Sequence, residues 1–257
     1  MTSLKGNINH SVCAWCYPDL SLDQLCIAAK QIGIAGIDLV GPDGWPVLKK
    51  HSLYSPMCNG AEISLTEGFN DPKYHAQLFA NYTKMIPLVA DAGYTNLICF
   101  SGNRNKMDDE TGIRNCVMGL RPLLPIAQKH GVVLVMELLN AKIDHPDYQC
   151  NKTPWGVELC KRLASANFKL LYDIYHMQIE EGDIIRTIRQ NHQYIAHYHT
   201  GGVPGRNEID ETQELNYPAV MEAIKNTGFK GYVAQEFIPI KKDKIASLAK
   251  AVALCDV

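Results

Sequence analysis

Leu170–Gln178, LLYDIYHMQ, decides the fold. Leu170, Leu171 and Tyr172 extend an apolar run begun at Phe168, as a buried strand would. Asp173 follows, and His176 stands three residues on. A carboxylate directly after such a run has left the core at a strand end, where parallel α/β proteins place their ligands. The layout recurs three times: Glu137 follows Val132–Met136 in VVLVMELLN, His197 and His199 lie in YIAHYHTGG, and Glu236 lies in GYVAQEFIP.

Working outward, each run pairs with a helix. Residues 7–12 form a first strand, and Ser21 caps a helix LDQLCIAAKQIG that Gly33 stops. IAGIDLV is the second strand, and SLYSPMCNG reads as a third. Asp71-Pro72 opens a helix that Pro87 should kink. TNLICFSG is the fourth strand, and Thr153-Pro154 caps the helix that follows the VVLVMELLN strand. Counting FKLLYDI, YIAHYHT and GYVAQEFIP gives eight strand–helix units in 257 residues. That is the length of a (β/α)8 barrel, typically about 250 residues. The reading is α/β: a single TIM barrel over residues 1–257, in one domain. A doubly wound open sheet would carry a glycine-rich turn after the first strand, and NHSVCAWCYP has no glycine.

The formal charge is −2 and the Lys and Arg residues are scattered, which argues against nucleic acid or an anionic membrane as partner. No apolar run approaches the roughly 18 residues of a membrane span, and no signal-like segment opens the chain. A cytoplasmic protein is expected, in line with nine scattered cysteines. Cys13-x-x-Cys16 has no second pair to make a zinc site, and Pro18 and Ser21 separate it from the next helix. Packing at a strand end is its better reading. Possible homo-oligomerisation has no deciding surface stripe.

Glu137, Asp173, His199 and Glu236 end consecutive predicted strands. Neighbouring barrel strands lie about 4.8 Å apart, so four adjacent ends can share one ion. Three carboxylates and an imidazole suit Mn²⁺ or Mg²⁺, with Co²⁺ or Zn²⁺ also accommodated. Without a cation, burial would force some of the carboxylates to protonate. His197 and His199 face the same side, and His199 is nearer the mouth. Two long loops, 138–153 and 200–216, lie on the same face, and the second carries Arg206 in a Gly/Pro frame. Trp15 and Phe100 either wall the pocket or belong to the core.

ELLN at Glu137, YDIYHMQIEEGD at Asp173, VPGRNE at Val203, ELNYPAV at Glu214 and QEF at Gln235 resemble the hydroxypyruvate isomerase family. That family belongs to the xylose-isomerase-like group of TIM barrels, which includes ketose 3-epimerases and 2-oxo-tetronate isomerases. The resemblance implies a divalent metal on Glu137, Asp173, His199 and Glu236, with Glu137 and Glu236 as the acid/base pair. It implies that His176 and Arg206 bind substrate oxygens; Asn140 and Lys142 are further substrate-binding candidates of this chain's own. Many hydroxypyruvate isomerases carry Gln where His199 stands, whereas the epimerases carry His. The epimerases also place a further substrate-binding Glu soon after the Glu137 position, where this chain reads LLNAKID. Lys142 and Arg206 together suit an anionic substrate.

The expected chemistry is isomerisation of a small hydroxy-oxo acid through an enediolate, with a ketose 3-epimerase as the alternative. A barrel nuclease would need more metal-ligating histidines and a basic face. A non-catalytic binding domain would have little use for four converging ligands.

Overall fold

The computed structural model describes residues 4–257. The strands are β1 (Asn9–Cys13), β2 (Gly36–Asp38), β3 (Asn96–Cys99), β4 (Val133–Leu138), β5 (Phe168–Asp173), β6 (Ile195–Thr200) and β7 (Tyr232–Gln235). Every strand pairing is parallel, in the order β2-β1-β7-β6-β5-β4-β3. The ring closes through residues 54–58. Ile37 N–H donates to Tyr54 O and Leu39 N–H to Met57 O on the β2 side. Cys58 N–H donates to Asn96 O, and Ile98 N–H to Cys58 O, on the β3 side. This segment holds the eighth position without being a regular strand, which corrects the expected strand over SLYSPMCNG. Pro56 has no N–H to give to a ladder, so pairing there shrinks to isolated bridges.

Among the described residues ten α-helices cover the ring. They are α1 (Leu22–Ile32), α2 (Trp45–Lys50), α3 (His75–Asp91), α4 (Asp109–Leu120), α5 (Leu124–His130), α6 (Thr153–Leu163), α7 (Ile174–Glu180), α8 (Ile184–Asn191), α9 (Tyr217–Asn226) and α10 (Lys244–Cys255). In α1, Ser21 and Gln24 form a reciprocal capping box, and Gly33 ends the helix at φ 96°. Its face bearing Leu25, Cys26, Ala28 and Ala29 is buried. Burying one such leucine contributes roughly 1.5–3 kcal/mol. Helix α3 runs through Pro87 without interruption. Thr153 is the first residue of α6 rather than its cap; its hydroxyl donates to Glu181.

Helix α7 was not anticipated. Asp173, the last residue of β5, is also its N-cap: Oδ1 accepts from Tyr175 N (2.8 Å) and His176 N (3.2 Å). The chain therefore turns from strand to helix with no loop between, and His176 falls in the first turn. At the far end of α7, Glu180 accepts from Ala141 N, Lys142 N and Asn151 Nδ2. Those bonds tie the long loop after β4 to α7. Among the described residues no helix is long and apolar enough to cross a membrane. All nine cysteines are free and buried, and burial pushes the Cys13 and Cys16 thiols well up, as packing residues would show.

Candidate metal centre and active site

Strand register assembles the cluster. Asp173 of β5 is the register partner of His199 of β6, and Glu137 on β4 pairs with Leu171. Glu236 follows the last residue of β7, and its N–H donates to Thr200 O (3.1 Å), continuing the ladder one step. One ligand atom from each of Glu137, Asp173, His199 and Glu236 lies within 4.8 Å of the other three, and all four residues are buried. His199 Nδ1 is 2.7 Å from Glu236 Oε2 and 3.4 Å from Glu137 Oε1. Neither His199 Nδ1 nor Glu137 Oε1 has a partner in hydrogen-bonding geometry. Buried polar atoms are ordinarily satisfied. Two converging orphans among three carboxylates fit a divalent cation of the oxygen-preferring kind.

Arg206 supplies positive charge at the edge of this cluster. Its Nη2 donates to Asp173 Oδ2 (3.0 Å) and Glu236 Oε2 (2.5 Å), its Nη1 meets His176 Nε2 (2.8 Å), and its Nε donates to Glu236 O (3.2 Å). The guanidinium also lies over the Trp15 and Tyr175 rings. Its backbone adopts a positive φ of 58°. The loop that holds it there is pinned by Glu208, whose buried carboxylate accepts from Ile240 N, Lys241 N and Ser247 Oγ. Gly202 is required beneath that loop, because a Cβ would sit 2.3 Å from Glu208 O.

The two carboxylates that Arg206 touches respond differently. Burial pushes Asp173 up to about 7, a rise that Arg206 only partly offsets. At Glu236 burial is outweighed by His199 and Arg206, which hold the carboxyl well below its usual range. Trp15 Nε1 adds a donor to Glu236 Oε1 at 2.8 Å. Burial opposes charge on His199, yet contacts with Cys13, Glu236 and Asp38 together raise it well above the usual histidine value. Asp38 likewise keeps its carboxyl low against burial through His197 and His199. His176 is pushed well down by burial and then by Arg206, which keeps it neutral beside the guanidinium.

A cavity of about 310 Å³ opens on the cluster, lined by Trp15, Phe100, Leu139, His145, His176, Arg206, Glu137 and Glu236 among others. Its walls are largely apolar with a few convergent polar groups, as small-molecule sites are. Trp15 and Phe100 thus wall the pocket. Lys142 does not join it: Nζ donates to Ile179 O (3.1 Å) and Glu180 O (2.8 Å), so the expected anion partner is spent on the end of α7. Asn140 does not line the cavity. Its Oδ1 accepts from Ile143 N and Asp144 N, and its Nδ2 lies 2.6 Å from His176 Nδ1. His145 had no expectation attached to it, yet its half-buried ring packs 5.1 Å from that of His176 at the cavity edge. A histidine in a long loop carries no periodic signal that would single it out.

Fold and site together define a parallel (β/α)8 barrel with an acidic, single-imidazole cluster at the carboxyl ends of four consecutive strands. Residues 28–252 match the family described as the xylose isomerase-like TIM barrel, and the chain belongs to that family. Among curated relatives, the 2-oxo-tetronate isomerase of Cupriavidus necator is 36% identical over 113 residues, 44% of this chain and 43% of that one. The hydroxypyruvate isomerase of Escherichia coli is 32% identical over 123 residues, 48% of this chain and 47% of that one. In both cases the match spans about half the length of the relative or less. The solved structure of a family 2 AP endonuclease from Brucella melitensis superposes with a TM-score of 0.84 over 96% of this chain and 99% of that one, at 22% identity. At that identity it shares the fold.

Proposed function

We propose that the protein is a metal-dependent isomerase of a small 2-oxo/2-hydroxy acid, of the hydroxypyruvate to tartronate semialdehyde type. The observation that carries this is the unpartnered pair His199 Nδ1 and Glu137 Oε1, buried beside Asp173 and Glu236 at the floor of a small cavity. The partial matches to hydroxypyruvate and 2-oxo-tetronate isomerases support the substrate class. In this reading Glu137, Asp173, His199 and Glu236 hold one Mn²⁺ or Mg²⁺, and residues 1–257 act as one catalytic barrel. The cation, when bound, supplies a Lewis acid for the substrate's carbonyl and hydroxyl oxygens.

The chain's own residues do the rest. Glu137 removes a proton from the hydroxyl-bearing carbon to give an enediolate. Delivery of a proton to the neighbouring carbon completes isomerisation. Arg206 and His176 hold the substrate's remaining oxygens, Arg206 by charge and a planar fork of donors. Trp15 and Phe100 keep water from the enediolate.

A second reading, a ketose 3-epimerase, is favoured by the imidazole at His199 and by two glutamates flanking the cluster. In that case one glutamate takes the proton from one face, and the other, entering the step protonated, gives its own proton to the opposite face. Incubating purified protein with Mn²⁺, Mg²⁺, Co²⁺ or Zn²⁺ and either hydroxypyruvate or a ketohexose separates the two. Turnover of neither substrate with any ion, or full turnover in chelator, refutes the reading.

A further inference from the structure

The cavity above the cluster has few polar groups to spare. Leu39, Leu65, Ile98 and Phe100 make an apolar stretch of its wall. Glu137 and Glu236 line it too, but as acceptors they repel an anion. A guanidinium carries five N–H donors. Arg206 spends four of them, on Asp173 Oδ2, Glu236 Oε2, Glu236 O and His176 Nε2, and one on Nη1 is left. His176 is flanked on both nitrogens, by Arg206 Nη1 and Asn140 Nδ2. The His145 ring also lines the cavity, and among the described residues it touches His176 but makes no hydrogen bond to the protein.

That ring is set in place by its backbone. His145 N donates to Asn140 O (3.1 Å), and His145 O accepts from Tyr148 N (3.1 Å). The Tyr148 hydroxyl donates to Glu137 O (3.0 Å), which fastens the turn to the end of β4. The half-buried imidazole then packs 5.1 Å from the His176 ring, whose Nε2 is 2.8 Å from Arg206 Nη1. One wall therefore carries, on either side of His176, the His145 ring and the unspent N–H of Arg206. Burial holds the His145 pKa below its usual value, and a neutral imidazole still donates through one nitrogen.

A three-carbon oxo acid has oxygens on every carbon. The cluster takes the carbonyl and hydroxyl oxygens, which leaves the carboxylate. Set against Ile98 or Phe100, a carboxylate would lose its hydration with no hydrogen bond in return. Its two oxygens suit two separate donors on one wall.

We propose that His145 is a substrate-binding residue: with the last Nη1 N–H of Arg206 it grips the substrate's carboxylate, and so makes the site select an oxo acid over a neutral sugar. The role rests on the reading of the site as a small-acid isomerase. His145→Phe keeps a ring against His176 and removes both nitrogens, whereas His145→Gln puts back a donor. In His145→Phe the KM for hydroxypyruvate should rise about 10- to 100-fold, the range for one hydrogen bond to a charged group, with kcat changed less. The preference in kcat/KM for hydroxypyruvate over dihydroxyacetone, which has a hydroxymethyl group in place of the carboxylate, should fall by a similar factor. Tartronate, a stable hydroxy-diacid, should bind the Mn²⁺-treated protein more weakly by the same factor in calorimetry, and His145→Gln should bind it better than His145→Phe. Circular dichroism should show both variants folded. A folded His145→Phe with the parent's tartronate affinity overturns the proposal, and so does an equal loss on both substrates, which marks a packing role. If His145→Phe does not fold, ¹H–¹⁵N spectra of the parent decide: tartronate should shift the His145 ring nitrogens, and an unshifted ring overturns the assignment. A parent that turns over neither substrate yet binds tartronate through His145 refutes the isomerase reading and keeps the role of His145. A parent that binds no tartronate refutes that role.

Discussion

Arg206→Ala tests the electrostatics of the centre most directly. The Arg206 side chain is 13% exposed, and it contacts Asp173 and Glu236, exposed 0% and 3%. Breaking a buried pair by removing one partner destabilises by about 3–5 kcal/mol, because the other charge is left uncompensated. For a chain of this size each kcal/mol moves the Tm by about 2–4 °C, so chelator-treated variant should melt roughly 6–20 °C below the parent. Added Mn²⁺ should recover more Tm in the variant than in the parent, since it replaces the missing positive charge. The deficit also depends on pH. Burial holds the folded-state pKa of Asp173 at about 7, above its unfolded value, and losing Arg206 raises it further. Between those folded values the variant binds more protons than the parent, so its deficit grows as pH rises. Below the lower of the two both are protonated and the deficit is smallest. Differential scanning fluorimetry in chelator at pH 6 and pH 9 measures this. A chelator-treated variant melting with the parent, or a deficit larger at pH 6, refutes the reasoning.

Glu137→Gln and Glu236→Gln keep shape but remove the ionisable group; each should lower kcat by about 10²–10⁴-fold with the fold intact by circular dichroism. Full turnover in both variants rules out the acid/base pair. Lys142→Ala removes an ammonium seated on the end of α7, so a loss of about 0.3–1 kcal/mol in stability is expected with KM nearly unchanged. A large rise in KM would instead put Lys142 on the substrate. Gly202→Ala drives a Cβ into Glu208 O and displaces the loop that carries Arg206. It should raise KM and lower stability by about 1–3 kcal/mol, and a variant matching the parent in both would show that the loop adapts freely.

The repeated pattern of apolar run then charged residue carried most of the architecture, because a buried strand and the end of a strand differ in polarity along the chain itself. Glu137, Asp173, His199 and Glu236 were legible for that reason. So was the helix boundary at Ser21 and Gly33, where capping chemistry is local. The run SLYSPMCNG was legible as a barrel position but not as irregular backbone, since Pro56 leaves its pairing only as scattered bridges. Helix α7 was hidden because Asp173 ends a strand and caps a helix at once.

Composition and periodicity were thus enough to specify parallel strands, their helical crossovers and which residues stand at the mouth. Ring closure alone chose the partners. It sent Lys142 to the carbonyls of α7, Arg206 to Asp173 and Glu236, and Asp38 across the barrel to His197 and His199. Burial leaves a periodic trace along a chain, whereas a contact between strands that are not neighbours depends on how the whole sheet curls, and no local spacing encodes that.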